Sequence, residues 1–244
     1  RMSRGLGDVY KRQHNYQLID TEEKRREIIQ KLLTSKILSL DTETTGTEPM
    51  DAELVGMSFS IAENEAFYVP VPADQEEALK IVNEFRPVFE NENSLKVGQN
   101  IKYDMIVLQN YGVQVKGPLF DTMIAHYVLQ PELRHGMDYL AEIYLRYQTI
   151  HIDELIGPKG KNQKNMRDLA PKDVYRYACE DADVTLKLKN VLEKELKEND
   201  AERLFYDIEM PLVPVLVNIE RNGVLLDTDC LLYTSPSPRD MRRS

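Results

Sequence analysis

The chain has 244 residues and a net charge of −10, with 42% hydrophobic and 30% charged residues. These proportions are typical of a folded globular protein and exclude the collagen-like, low-complexity and wholly disordered classes. The longest nearly apolar stretch, residues 210–219, contains two prolines and falls well short of the roughly 20 residues that a membrane-spanning helix needs, so we expect no membrane segment.

Both ends of the chain differ from the rest because they lack hydrophobic periodicity and are basic. Residues 1–13 carry a net charge of +3 and residues 231–244 carry +2. Their segments GDVYKRQ and LYTSPSPRD resemble translated adapter or vector sequence, so we interpret both as non-native tails, with functional basic tails as the alternative. Residues 14–230 then carry −15, so a polyanionic substrate would need a local basic patch, bound cations or both.

The first half of the body alternates strands and helices. Residues 14–19 alternate as in a short strand, and Asp20 with Glu23 forms a capping-box pattern for a helix that runs to Leu33. Three further runs are rich in strand-forming residues and predict a meander. These runs are residues 37–40, 53–62 and 66–71.

The rest of the body is mostly helical. A helix over residues 74–89 precedes a short strand at 95–98, and Pro171 is placed to open the longest helix. The other predicted helices cover residues 100–110, 121–129, 137–147, 171–199 and 202–222. We therefore predict an α/β fold in one domain, with a mixed β-sheet flanked by helices and a helical second half.

Two carboxylates leave the strand that ends at Leu40. In the run Asp41-Thr42-Glu43 the two acids point to the same face, about 7 Å apart along the chain, because strand side chains alternate. Such a pair can bind a divalent cation. Solvated strand-end charges are the alternative, since the chain has 41 acidic residues.

Two later motifs supply further polar groups. Asp104 lies in the first turn of an otherwise apolar helix, where the helix dipole favours an anion. Tyr177 and Asp181 are four residues apart and therefore share one face of the long helix. Taken singly, each pattern is common in helices without a catalytic role.

Together and in this order, the three elements resemble the Exo I, Exo II and Exo III motifs of the 3'-5' exonucleases of the DnaQ-like superfamily, in its tyrosine-bearing DEDDy subclass. Five runs narrow the resemblance to the proofreading domain of bacterial DNA polymerase I, of family A. They are DTMIAHYVL, LRHGMDYLAE, GKNQ, YACEDADVTLKL and MPLVPVLVNIERNGVLLD. The resemblance implies a ribonuclease H-like fold, with the exonuclease domain at residues 14–200. Residues 201–230 would form a helix and strand leading into a polymerase domain that this truncated fragment lacks.

The resemblance implies a two-metal phosphodiester hydrolase that releases nucleoside 5'-monophosphates from a DNA 3' end. Hard, oxygen-preferring Mg²⁺ or Mn²⁺ ions suit such chemistry. By resemblance, Asp41 would bridge the two ions, Glu43 and Asp181 would complete one site, and Asp104 would reach the second through water. Tyr177, with Glu43, would orient the attacking water, because an ordinary phenol pKa of about 10 suits a positioning group better than a general base.

Substrate contacts are expected at a basic loop and near the motifs. Residues 157–167 contain four basic residues and no acid, so Lys159 and Lys161 are candidate phosphate contacts, with a merely solvated loop as the alternative. Positions that match family contacts to the terminal nucleotides are Gln99, Asn100, Tyr103 and Arg134.

The sequence departs from the family pattern at two places. Thr47 stands where related enzymes commonly place an apolar wedge, and Ile152 stands where they commonly place an aromatic residue. Ile152 or Met50 could supply an apolar wall for the terminal base instead.

The expected partners are a DNA 3' end, single-stranded or frayed, and a polymerase domain in the same polypeptide, and we expect a monomer. With two cysteines, four scattered histidines and no signal-peptide pattern, we expect neither a disulfide framework nor a zinc site, and a cytoplasmic setting. Two alternatives stay open: an RNA 3'-end trimming exonuclease of the same superfamily, and a catalytically silent DNA-binding spacer domain.

Overall fold

A mixed β-sheet forms the centre of the protein in a computed structural model that describes residues 14–158, 160 and 163–228. The strands are β1 (Asn15–Leu18), β2 (Ile37–Thr44), β3 (Leu54–Ala62), β4 (Glu65–Pro70), β5 (Leu95–Gly98) and β6 (Leu119–Asp121). They lie in the order β1-β4-β3-β2-β5-β6. β3 pairs antiparallel with β2 and β4, and the other pairs are parallel. The predicted mixed sheet and its meander are confirmed.

Helices flank the sheet and make up most of the second half, as predicted. They are α1 (Glu22–Leu33), α2 (Gln75–Glu84), α3 (Arg86–Phe89), α4 (Ile101–Asn110), α5 (Thr122–Leu129), α6 (Met137–Leu140), α7 (Ile152–Ile156), α8 (Pro171–Glu198), α9 (Glu202–Leu204) and α10 (Met210–Asn222). None of the helices in the described ranges is both long and apolar enough to cross a bilayer.

Several helix boundaries differ from the sequence prediction for local reasons. Thr21, not Asp20, caps α1, because its side chain accepts the Lys24 N–H, while Asp20 forms an ion pair with the Lys24 ammonium. The helix predicted over residues 74–89 is divided into α2 and α3, with Pro87 in the first turn of α3, where its missing N–H does no harm. Two other predicted helices contain π-helical turns, at Ala141–Leu145 and Phe205–Glu209.

The 28-residue helix α8 connects the distant parts of the chain. It packs against five of the strands, β1 to β5, so its middle residues come close to the end of β2. The segment that follows α8 joins the same hydrophobic core, because the ring of Phe205 lies 4.8 Å from that of Phe120 and Met210 and Val217 are buried beside it.

A buried lysine at the start of β5 links two loops through hydrogen bonds. Lys96 is fully buried, and its ammonium donates to the carbonyl oxygens of Asn91, Ser94 and Lys116 at 2.5, 3.1 and 2.7 Å. Burial lowers the pKa of this lysine to about 8. The three hydrogen bonds compensate for placing a cationic group away from water.

The Lys96→Met substitution should lower the free energy of unfolding by about 3 kcal/mol, because three carbonyl oxygens lose their donor at a buried position. Urea denaturation monitored by circular dichroism measures this change. Lys36→Met, at an exposed position, is the control and should shift stability by less than about 0.5 kcal/mol. Equal midpoints for the two variants would contradict the proposed role of Lys96.

Candidate active site

Three of the carboxylates singled out in the sequence converge at one end of the sheet. Asp41 and Glu43 project from the last part of β2, and Asp181 projects from the middle of α8. One oxygen atom from each of the three lies within 4.8 Å of the others. The pairing of β2 with β3 shifts register between Glu43 and Thr44, as in the strand irregularities that often aim side chains into functional sites.

Asp104 reaches the same region from α4. Its Oδ1 atom accepts two hydrogen bonds from Thr42, one from the backbone N–H at 2.9 Å and one from the hydroxyl at 2.6 Å. It is not one of the three residues grouped within 4.8 Å; burial and then the negative charge of Asp41 raise its pKa. The fourth predicted acid therefore contacts β2 at Thr42, the residue between Asp41 and Glu43.

The start of α4 is fixed by a second acid. The buried carboxylate of Asp121 accepts the backbone N–H groups of Asn100 and Ile101 at 3.2 and 2.7 Å, and those of Met123 and Ile124 at 2.8 and 3.1 Å. Asp121 is thus also the N-cap of α5, at the start of the helix that the sequence predicts over residues 121–129. Its additional role at α4 depends on the parallel pairing of β5 with β6, which the sequence pattern did not indicate.

The electrostatics of the cluster disfavour four negative charges without a counter-ion. Burial raises the pKa of Asp41 to about 7. The pKa values of Glu43, Asp104 and Asp181 are raised well above their ordinary range, mainly by burial and then by the neighbouring carboxylates. Such mutual repulsion is typical of sites that bind cations or perform acid–base chemistry.

The phenol of Tyr177 lies beside Asp181, which follows one helical turn further along α8. Burial and the nearby charges of Asp181 and Glu43 raise the pKa of the phenol, in that order. The tyrosine therefore stays protonated near neutral pH, which suits a hydrogen-bonding, positioning role better than that of a base.

The residues present fit a divalent metal ion. Glu43 Oε1 and Asp181 Oδ1 are buried, and no hydrogen-bond partner exists for them in the described part of the chain. Buried carboxylate oxygens without partners are unfavourable unless a cation or water compensates for them. An all-oxygen, all-carboxylate set matches the ligands that Mg²⁺ and Mn²⁺ prefer.

Four candidate substrate contacts belong to segments near the cluster. Tyr103 is half-buried in the first turn of α4, and its hydroxyl bonds to Thr44 Oγ1 and the Gly46 carbonyl oxygen. Gln99 donates to the His135 carbonyl oxygen at 2.7 Å. Asn100, at the N-cap of α4, and Arg134, next to His135, have exposed side chains. Their roles toward a substrate stay predictions.

The structure describes only part of the basic loop, residues 157–167. Lys159 and Lys161 lie outside the described residues. Arg167, at the end of the same basic run, is used within the protein, because its guanidinium donates to the carbonyl oxygens of Val71 and Leu54 at 2.6 and 2.7 Å. The sequence pattern missed this role, since the two carbonyl groups belong to a distant part of the chain.

Two apolar side chains proposed for the terminal base are available at the surface. Met50 is 46% exposed and Ile152 is 43% exposed. Thr47 is also exposed. Contact of Met50 or Ile152 with the terminal base therefore stays a prediction.

Comparisons with known proteins agree with this geometry. Residues 16–197 match the family model of the 3'-5' exonuclease domain of family A DNA polymerases. DNA polymerase I from Pseudomonas aeruginosa is 40% identical over 213 residues, which cover 83% of this chain and 23% of that protein. The chain thus spans about a quarter of the length of the curated relatives it matches.

Solved structures share the fold at low sequence identity. Brucella melitensis NrnC superposes with a TM-score of 0.67 and 19% identity, covering 86% of this chain and 93% of that one. Escherichia coli RNase D, described as an exoribonuclease, superposes with a TM-score of 0.66 and 18% identity, covering 86% of this chain and 52% of that one. The carboxylate cluster, the mixed sheet and the family match lead to one conclusion: the chain belongs to the 3'-5' exonuclease domain family of DNA polymerase I.

Proposed function

We propose that this chain is a metal-dependent 3'-5' DNA exonuclease that hydrolyses the 3'-terminal phosphodiester and releases nucleoside 5'-monophosphates, as the proofreading domain of a DNA polymerase I. The observation that carries the proposal is the convergence of Asp41, Glu43 and Asp181 within 4.8 Å. The unpartnered buried oxygens of Glu43 and Asp181 support metal binding at this point.

The four carboxylates would bind two divalent ions between them. Asp41, Glu43 and Asp181 would hold one divalent ion, and Asp41 with Asp104 would contribute to a second. When bound, two such ions lower the pKa of a bound water and stabilise the charge that develops on the leaving 3'-oxygen. They would also offset the −15 charge of the protein body toward a phosphate backbone.

The tyrosine would position the attacking water. Because burial and then the charge of Asp181 raise its pKa, Tyr177 keeps its proton beside the acids. The half-buried Tyr103 and Gln99, with the exposed Asn100 and Arg134, would bind the sugar, phosphate or base faces of the terminal nucleotides.

We propose DNA rather than RNA as the substrate because of the matched relatives, not because of the geometry of the site. The matched curated proteins are DNA polymerases, whereas the fold is shared with an exoribonuclease. RNA 3'-end trimming is therefore the second candidate. A silent DNA-binding role is less well supported, because all four acids are present, three of them lie within 4.8 Å, and Asp104 is bonded to Thr42 between two of those.

The full chain, incubated with Mg²⁺ and a 5'-labelled single-stranded DNA, should shorten it stepwise from the 3' end, and EDTA should stop the reaction. Chromatography of the released products should detect nucleoside 5'-monophosphates. An RNA oligonucleotide of the same sequence is the matched substrate control. Faster trimming of RNA would favour the second candidate. Binding of DNA without cleavage in either Mg²⁺ or Mn²⁺ would refute the nuclease proposal.

We further propose that a polymerase domain follows in the parent polypeptide, as in the relatives. The segment after α8 carries a row of exposed apolar side chains at helical spacing, which would suit contact with another domain. They are Leu204, Ile208, Leu212, Val215 and Ile219, each between 41% and 56% exposed.

A further inference from the structure

We propose that Thr42 is a positioning residue that orients the carboxylate of Asp104 toward the second cation. This inference rests on the proposed nuclease function and assigns a task to the one residue between Asp41 and Glu43. Thr42 itself is buried, and its side chain alternates with those of its two acidic neighbours along β2. It therefore contributes to the site through another residue rather than as a metal ligand.

The contact between Thr42 and Asp104 is specific to one oxygen atom. Both the backbone N–H and the hydroxyl of Thr42 donate to Asp104 Oδ1, at 2.9 and 2.6 Å. Two donors on one oxygen restrict rotation of the carboxylate about its terminal torsion, which is otherwise broad. Oδ2 then remains the oxygen that can reach a cation or its bound water.

Asp104 is held differently from the other three acids, because Thr42 donates two hydrogen bonds to its carboxylate. Asp41 and Glu43 lie on one strand, and Asp181 lies on α8, where its Oδ1 atom has no hydrogen-bond partner in the described residues. Asp104 approaches from α4, whose backbone is anchored by Asp121. That anchor fixes the helix but not the side-chain torsions of Asp104. The hydroxyl of Thr42 supplies the missing constraint.

The experiment compares three variants of the full chain. Thr42→Val keeps the β-branched shape and the backbone donor but removes the hydroxyl, and Thr42→Ser restores a hydroxyl. Thr149→Val is the matched control, because Thr149 is a buried threonine whose hydroxyl also lies 2.6 Å from a carboxylate oxygen, that of Asp138. Electron paramagnetic resonance of free Mn²⁺ during a titration without DNA measures cation binding directly.

Thr42→Val should weaken the weaker of two Mn²⁺ sites about 10- to 100-fold and leave the tighter one unchanged, as expected when an outer hydrogen-bond partner of a ligand is lost. With DNA and Mg²⁺, kcat should fall by a similar factor with little change in KM. Thr42→Ser should recover most of both losses, and Thr149→Val should match the wild type.

Three outcomes would overturn the role of Thr42. They are unchanged Mn²⁺ binding by Thr42→Val, equal weakening of both sites, and a loss in Thr42→Ser as large as in Thr42→Val. A wild-type chain that binds two Mn²⁺ ions but cleaves no DNA would instead refute the proposed function, and the Mn²⁺ titration of the variants would still decide the role of Thr42.

Discussion

The Asp41→Asn substitution should reduce 3'-end cleavage by about 1,000-fold or more and, in the absence of divalent ions, make the protein more stable. Asp41 is central to the cluster, since its charge raises the pKa values of Glu43, Asp104 and Asp181. An amide is neutral and binds hard cations less strongly than a carboxylate. Losing several kcal/mol of transition-state stabilisation lowers a rate about tenfold for each 1.4 kcal/mol.

The gain in stability follows from the raised pKa of Asp41, which is about 7 in the folded protein. An aspartate with a raised folded-state pKa contributes stability that is fully present below about pH 4 and is lost as the pH rises through about 7. The asparagine variant does not ionise and keeps that stability. Its advantage should therefore be absent at pH 4 and reach about 1–2 kcal/mol above pH 7.

Thermal unfolding in EDTA at pH 4, 6 and 8 measures this effect, with an expected rise in Tm of about 2–8 °C at pH 8. Adding Mn²⁺ should raise the Tm of the wild type more than that of the variant, because a ligand stabilises the state that binds it. A variant that cleaves DNA normally, or one that is less stable than the wild type at pH 8, would contradict this account of the cluster.

The second large effect is expected at Asp183, two residues after Asp181 on α8. Asp183→Ala should lower the free energy of unfolding by about 3–5 kcal/mol, because removing one partner leaves a buried charge uncompensated. Asp183 is fully buried and accepts hydrogen bonds from the Tyr16 hydroxyl, the Asn64 N–H and the Lys187 ammonium at 2.7, 2.7 and 2.6 Å. Without it, the Lys187 ammonium would lose its carboxylate partner in a nearly closed site.

Asp181→Ala is the matched control on the same helix. Asp181 is also buried, but its neighbours are the like charges of Asp41 and Glu43, so its removal should leave the metal-free protein as stable or more stable while abolishing cleavage. Urea denaturation and the oligonucleotide assay together measure both properties. If the two variants lost stability equally, the division into a catalytic and a structural acid would be wrong.

These two aspartates illustrate how much local spacing predicts. The rotation of about 200° between residues two apart on a helix predicts that Asp183 faces away from Asp181, and the structure confirms it. The partners of Asp183 could not be predicted, because Tyr16 and Asn64 belong to strand β1 and to the turn before β4. They meet α8 only when the sheet is assembled.

The basic run illustrates the opposite case. From its positive charge, Arg167 is predicted to belong to the same phosphate-binding surface as the lysines of residues 157–167. The tertiary structure directs its guanidinium to the carbonyl oxygens of Leu54 and Val71 instead. A sequence does not show which backbone carbonyl groups lack a hydrogen-bond partner. Every residue has a carbonyl group, and its pairing depends on the fold.

The sequence by itself predicted most of the strands and helices in chain order, although not β6 or α7, together with the four candidate acids, the candidate tyrosine and the family they resemble. These follow from hydrophobic period, residue type and short spacing, which act over a few residues. Only the tertiary structure decided that Glu43 and Asp181, far apart in the chain, share one pocket, and that Thr42 and Asp121 support Asp104. Convergence across such separations depends on how α8 packs on the sheet, since hydrogen bonds and charge repulsion act only at the short distances that folding creates.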